Sequence, residues 1–261
     1  MRIEVAGAPA FVATGGTGLT PDRPAVVLIH GAGLDHSVWA LQSRWLAHHG
    51  RSVLAPDLPG HGTSGGAPLG SIGEMADWIA ALLTAADIER AALIGHSMGS
   101  LVALEAARRH PARVRALGLI GTTASMPVHP DLLAAAAANS IAAVHMLSRW
   151  GHGYDAALGG CKAPGLWMTG AAERVLEHAA PGVLHADLAA CNAYQDGQAA
   201  AATIACPTAI IQGSRDVMTP LRGATSLAAA IKNARLTVLD GAAHMLLAER
   251  PDEVLAALAA L

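Results

Sequence analysis

Ala91-Ala92-Leu93-Ile94-Gly95-His96-Ser97-Met98-Gly99 reads as a short apolar strand running straight into a G-x-S-x-G turn, with a helical run from Ser100 to Arg109 behind it. Strand in front and helix behind make this pattern specific. A serine on so sharp a turn needs strained backbone angles. Glycines two residues to either side remove the Cβ atoms that would collide with the neighbouring strand and helix. The turn projects the Ser97 hydroxyl above the carboxyl ends of the strands, where open α/β sheets place their sites. It also leaves the Met98 amide as a free donor at a helix N-terminus. The plainer alternative, a βα loop with a capping serine, does not require both glycines.

Outward from this turn the pattern alternates. Ile3–Val5 and Phe11–Thr14 suggest an opening hairpin, and Ala25–Ile29 is a continuous β-type run of the kind buried on both faces. Helix 38–49, strand 52–55, helix 72–86, strand 91–94, helix 100–109 and strand 114–120 follow. After residue 203 come strand 208–212, helix 221–231, strand 235–239 and a closing helix from Pro251 to Ala260, with proline at a position where its missing N–H costs nothing. The order β-α-β-α predicts an α/β fold: a mostly parallel, doubly wound sheet with helices on both faces. Between Ser125 and Thr203 the rhythm breaks into an alanine-rich, proline-punctuated helical stretch. It is expected to be an insertion packed over the sheet edge, with 1–124 and 204–261 forming the core.

A serine hydroxyl needs a base to become a nucleophile. Of thirteen histidines, His244 in Gly241-Ala242-Ala243-His244 stands out, because it lies between the last strand and the last helix. His96 is adjacent to Ser97 and points elsewhere on a tight elbow; His30 and His61 fit loop-fixing roles. The base in turn needs a carboxylate to hold its tautomer. Asp216, just past the strand ending at Gln212, is favoured over Asp240, which is too close in sequence to face His244 easily.

These residues in the order Ser…Asp…His resemble the α/β-hydrolase superfamily, and the likeness covers nearly the whole chain. His30-Gly31-Ala32-Gly33 is similar to the family's H-G-x loop. Asp57-Leu58-Pro59-Gly60-His61-Gly62-Thr63-Ser64 is similar to its D-x-x-G-x-G-x-S loop. The resemblance implies that the backbone N–H groups of Ala32 and Met98 hold the oxyanion and that Asp57 structures its loop. It also implies that 125–203 is a helical cap roofing the pocket, with Trp150, Tyr154, Trp167, Leu188 and Tyr194 as pocket-lining candidates. Cys191 could face the site as well. A serine nucleophile argues against dehalogenases and epoxide hydrolases of this fold, which use aspartate. Carboxylesterases, lactone hydrolases, perhydrolases and C–C bond hydrolases stay open, as does a slow-turnover ligand receptor. The expected activity is cleavage of a small uncharged ester or lactone by water, with no metal or organic cofactor.

Composition narrows the rest. Of the 261 residues 52% are hydrophobic, with alanine the largest contributor, so a core can form with few aromatic blocks. A net charge of −3 offers no electrostatic case for nucleic acid or anionic lipid. Arg108, Arg109, Arg113 and Arg115 cluster where a helix ends and offset its dipole. Cys161, Cys191 and Cys206 have neither disulfide nor zinc spacing. Met1-Arg2-Ile3-Glu4 lacks a signal-peptide apolar run, and the richest apolar run, 132–138, is far short of a membrane span. The expectation is a cytoplasmic monomer or homodimer.

Overall fold

The computed structural model describes residues 1–259 and 261. Eight strands, β1 (Arg2–Val5), β2 (Ala8–Ala13), β3 (Ala25–Ile29), β4 (Ser52–Pro56), β5 (Ala91–His96), β6 (Val114–Ile120), β7 (Thr208–Gly213) and β8 (Ala234–Leu239), form one sheet. Its order is β1-β2-β4-β3-β5-β6-β7-β8. The first hairpin joins antiparallel, and every pairing from β4 through β8 is parallel. The run read as doubly buried is so: all five residues of β3 are buried. Val27 and Ile29 enter the core on one face, Val26 and Leu28 the core on the other.

The first face is covered by α2 (Ile72–Ala85), α3 (Met98–Arg109) and α10 (Leu221–Ala230), the second by α1 (Ala40–His48), α11 (Leu246–Glu249) and α12 (Pro251–Leu258). Helix α2 starts at a capping box in which Ser71 Oγ accepts the Glu74 N–H at 3.2 Å and donates to Glu74 Oε2 at 3.1 Å. The expected helix 38–49 divides into a tight 3-10 turn, His36–Trp39, and α1. Helix α12 ends at Leu258; the expected end at Ala260 lies outside the described residues. The arginine cluster is structural, with Arg108 paired to Glu105 and Arg109 to Asp77.

Between β6 and β7, which are neighbours in the sheet, the chain makes α4 (Pro130–Ala137), α5 (Ile141–Gly151), α6 (Tyr154–Ala157), α7 (Met168–His178), α8 (Val183–Ala193) and α9 (Gly197–Thr203). Leu132, Ala136, Ala143 and Leu188 make a small core of their own that rests on Ala32, while Val144 and Leu176 pack with Leu34 and Met245. The insertion therefore sits over the loops at the carboxyl ends of the strands, not over the sheet edge. Helix α9 differs from the others: Ala200 and Ala201 belong to the sheet-covering core with Leu101 and Leu227.

Strand β5 runs to His96 and α3 begins at Met98, so the elbow is a single residue, tighter than the sequence pattern required. A Cβ on Gly95 would lie 2.0 Å from the Gly99 carbonyl oxygen, backbone against backbone. Gly95→Ala is expected to destabilise the fold by about 3 kcal/mol, as overpacking of an unyielding contact does. A denaturant midpoint equal to the wild type's would contradict this account of the elbow.

Candidate active site

Ser97 has φ +54° and ψ −123°, a region that side chains other than glycine occupy only under constraint. The constraint is visible on both sides. Ser97 N–H donates to the Ile120 carbonyl of the neighbouring strand at 2.9 Å, and Ser100 N–H donates to the Ser97 carbonyl at 2.8 Å. Ser100 Oγ donates to the same carbonyl at 2.6 Å. A Cβ on Gly99 would lie 2.2 Å from the Ile29 carbonyl oxygen, so the helix start is packed directly on β3. Strain of this kind typically costs about 1–3 kcal/mol and is held by the surrounding fold.

His244 follows β8, and Asp216 follows β7, which pairs with β8. His244 Nδ1 donates to Asp216 Oδ2 at 2.8 Å, and both side chains are buried. The same carboxylate oxygen accepts Thr219 Oγ1 at 2.7 Å and Gln212 Nε2 at 2.9 Å, while Oδ1 accepts the N–H groups of Met218 and Thr219, each at 2.8 Å. Burial alone would raise the Asp216 pKa. The His244 ring and these donors outweigh it, and the carboxyl stays ionised below its ordinary range. With its Nδ1 proton committed to Asp216, neutral His244 carries its lone pair on Nε2, a buried atom with no hydrogen-bond partner among the described residues. Gly121 leaves room for this ring, since a Cβ there would lie 3.1 Å from it. Asp240 serves elsewhere, accepting from Ser214 Oγ at 3.1 Å.

The loop after β3 passes beside Ser97: a Cβ on Gly31 would lie 3.2 Å from the Ser97 Cβ. The N–H groups of Ala32 and Met98 donate to nothing among the described residues. His30 is buried beneath this loop, its Nδ1 donating to the Gly31 carbonyl at 2.9 Å and its Nε2 accepting the Leu58 N–H at 3.1 Å. Burial and the nearby His61 push its pKa down to about 4. His96 donates from Nε2 to the His244 carbonyl at 2.9 Å, and burial with the neighbouring His244 pushes its pKa down to about 3. Both rings are neutral braces. Asp57 is wholly buried; it accepts from His36 N–H and Nδ1 at 2.8 and 2.7 Å and from Thr63 N–H at 3.0 Å. Asp35, His36 and Asp57 bring three potential metal-ligating atoms within 4.8 Å of one another. The Asp57 carboxylate is already taken up by its own loop.

Ser97, His96, His244, Gly31 and Ala32 line a cavity of about 350 Å³ roofed by the insertion. Trp150 and Leu188 line it, as does Cys191. The structure places the other three aromatic candidates away from this cavity. Tyr154 is 76% exposed and Trp167 67% exposed, with the Trp167 ring lying across Gly170 in the first turn of α7. Tyr194 is buried against α3, where its hydroxyl donates to Glu105 Oε2 at 2.9 Å. The rest of the wall is mostly aliphatic and thioether, including Met126, Leu132, Leu147, Leu176, Met218 and Met245, with Ser148, Thr219, His129 and His152 as its polar members, and none of the lining residues is Lys, Arg, Asp or Glu. Gln212 was also missed, although a lone polar residue at the end of the apolar strand β7 was a legible signal.

Sheet order, nucleophile turn and loop placement together define a class, and comparison with known proteins agrees. The chain belongs to the alpha/beta hydrolase fold family, whose model matches residues 24–251. It is 33% identical over 248 residues to the pimeloyl-[acyl-carrier protein] methyl ester esterase of Aromatoleum aromaticum, covering 89% of this chain and 95% of that one. It is 34% identical over 246 residues to the esterase of the same name from Chromobacterium violaceum, covering 90% of each. The enol-lactonase from Burkholderia xenovorans superposes with a TM-score of 0.82 at 26% identity, over 100% of this chain and 98% of that one. The chain is thus an esterase- and lactonase-like member of the family. No helix among the described residues is long and apolar enough to cross a membrane.

The buried histidines set a pH dependence. His30 and His96 stay neutral in the fold while the unfolded chain protonates them below about 6.5, so stability falls as pH drops from 6.5 towards 4. His36 is raised mainly by its hydrogen bond to Asp57; His61, which burial alone would lower, is raised by Asp187. Both are protonated in either state below 6.5, so they do not offset the loss in that window. The melting temperature should decline steadily between pH 6.5 and 4; a flat profile would contradict the neutral-brace assignment.

Proposed function

We propose that the protein is a serine hydrolase that cleaves small, uncharged carboxylic esters or lactones through an acyl-enzyme on Ser97. The observation that carries this reading is His244, held by Asp216 on one nitrogen and unpartnered on the other, on the wall of the cavity that also holds Ser97. In the proposed sequence His244 Nε2 takes the Ser97 proton as Oγ attacks the acyl carbon. The Ala32 and Met98 amides receive the developing oxyanion, each such donor being worth about 2.7–4 kcal/mol. His244 then protonates the leaving oxygen, and water, activated by the same nitrogen, resolves the acyl-enzyme. Asp216 stays ionised throughout and stabilises the imidazolium that forms.

The wall favours the substrate class. With no lysine or arginine to meet a free carboxylate, no aspartate or glutamate to meet an amine, and burial lowering the pKa of the His152 ring, a charged acyl chain is poorly paired in this cavity, at a cost of several kcal/mol. The esterase relatives and the enol-lactonase neighbour support ester or lactone chemistry.

Ser97→Ala should lower kcat at least about a thousandfold on p-nitrophenyl butyrate while leaving the melting temperature near the wild type's. Retained activity would sink the nucleophile assignment. Asp216→Asn should cost about ten-thousandfold in kcat through loss of tautomer control; a loss under tenfold would overturn that role. In a panel of esters and lactones, neutral acyl groups should be preferred at least about tenfold over chains ending in a carboxylate. Equal rates would remove the argument from the uncharged wall.

A further inference from the structure

Asp187 sits on α8 within the insertion, 90 residues after Ser97 in the chain, yet its carboxylate serves the sheet domain. It is wholly buried, and its Oδ2 accepts two hydrogen bonds, from Gly33 N–H at 2.8 Å and from His61 Nε2 at 2.7 Å. His61 also donates from Nδ1 to the Pro59 carbonyl at 3.0 Å. A carbonyl can only accept, so the ring holds one proton there and a second toward Asp187. Burial alone would strip that second proton; the Asp187 carboxylate outweighs it. The groups facing the pair do not compete for it. The neutral His30 ring lies 4.8 Å from His61 between centroids, the Asp57 carboxylate is taken by His36 and Thr63, and burial keeps the Cys191 thiol protonated.

Gly33 is the residue through which this pair can reach the chemistry. Leu34 N–H donates to the Gly31 carbonyl at 3.2 Å, closing a turn whose middle residues are Ala32 and Gly33, and Gly33 has φ +66°. A positive φ at the third position marks a type II turn, which differs from type I by a flip of its central peptide. That peptide carries the Ala32 carbonyl and the Gly33 N–H. While the N–H points at Asp187 the turn is locked, because a flip would turn the Ala32 carbonyl oxygen onto a buried carboxylate. The Ala32 N–H, one peptide earlier, is aimed by the same turn.

We propose that Asp187 is a positioning residue for the oxyanion loop: paired with His61, it pins the Gly33 N–H and so holds the Ala32 amide toward the acyl oxygen. This rests on the reading of Ser97 and Ala32 given under Proposed function. The insertion then roofs the cavity and also sets the geometry of the reacting centre. Asn at 187 can accept from Gly33 N–H or donate to a flipped Ala32 carbonyl, so Asp187→Asn releases the lock with little change in shape.

The test is steady-state hydrolysis of p-nitrophenyl butyrate together with inhibition by an alkylboronic acid, which forms a tetrahedral adduct on a serine oxygen. Asp187→Asn should lower kcat about 10- to 100-fold, keep KM within about threefold and weaken the boronic acid by a similar factor, the pattern of an interaction made only in the transition state. A kcat within threefold of wild type, or a loss confined to KM, would overturn the proposal. Should Asp187→Asn fail to give the wild-type circular dichroism spectrum, His61→Gln replaces it: a donor remains at the Nε2 position but the charge is gone. That variant should lose about threefold to tenfold in kcat at constant KM, and an unchanged kcat would overturn the proposal. Ser97→Ala separates the two layers. If it hydrolyses at the wild-type rate, the functional reading itself fails. If it is inactive while Asp187→Asn behaves as wild type, only the positioning role fails.

Discussion

The structure depends on one close approach: the start of α3 lies against the end of β3 with no side chain between them. Gly99 meets the Ile29 carbonyl and Gly95 meets the Gly99 carbonyl at distances no Cβ could share. This contact forces the turn at Ser97 to be completed in a single residue and pushes that residue into a positive φ. The strain is local, but its support is distributed over β3, β5, β6 and α3, the best-buried part of the molecule. A hydroxyl held this way has little freedom to relax away from its position, and freedom lost in folding is freedom not lost again at the moment of reaction.

Around that point the polar groups fall into two buried carboxylate systems. Asp216 gathers donors from β7 and its loop and orients His244. Asp187 gathers Gly33 and His61 on the opposite side. Glu249 adds a smaller one, accepting the N–H groups of Ala243 and Gly153 at 3.1 Å each and so tying the loop of His244 to the end of α5. Gly151 reinforces that tie, its carbonyl accepting from His244 and Met245. The insertion is therefore fastened at both flanks of the cavity by hydrogen bonds, while its apolar residues supply the wall between them. Asp216 and Glu249 are buried with donors on both oxygens, the condition under which burying such a group is tolerable, whereas Asp187 has its donors on Oδ2 alone and depends on His61 for the rest.

What could be read from the sequence was what is local. A strand, a G-x-S-x-G turn and a helix lie within twenty residues, so the turn at Ser97 was legible without tertiary information, and the β-α alternation along the chain made the sheet class legible too. Asp216 and His244 were legible because each follows a recognisable strand. The cavity wall was not. Whether Trp150 or Trp167 faces inward depends on how α5 and α7 rotate against the core loops, and that is set by small contacts such as Leu176 with Leu34. Tyr194 was drawn away by Glu105, 89 positions earlier in the chain. Asp187 looked like any other acid of the insertion because its partner, His61, lies 126 positions away. Its burial is a property of the assembled loops and leaves no trace in residue spacing.

The proposed roles of Ser97 as the one nucleophile and of His244 as the base that activates it are tested most directly by treating the intact protein with a fluorophosphonate and locating the adduct by peptide mass spectrometry. A single adduct on Ser97 is expected, with its near-complete loss in His244→Ala. An adduct on any other residue, or undiminished labelling of Ser97 without His244, would contradict these roles.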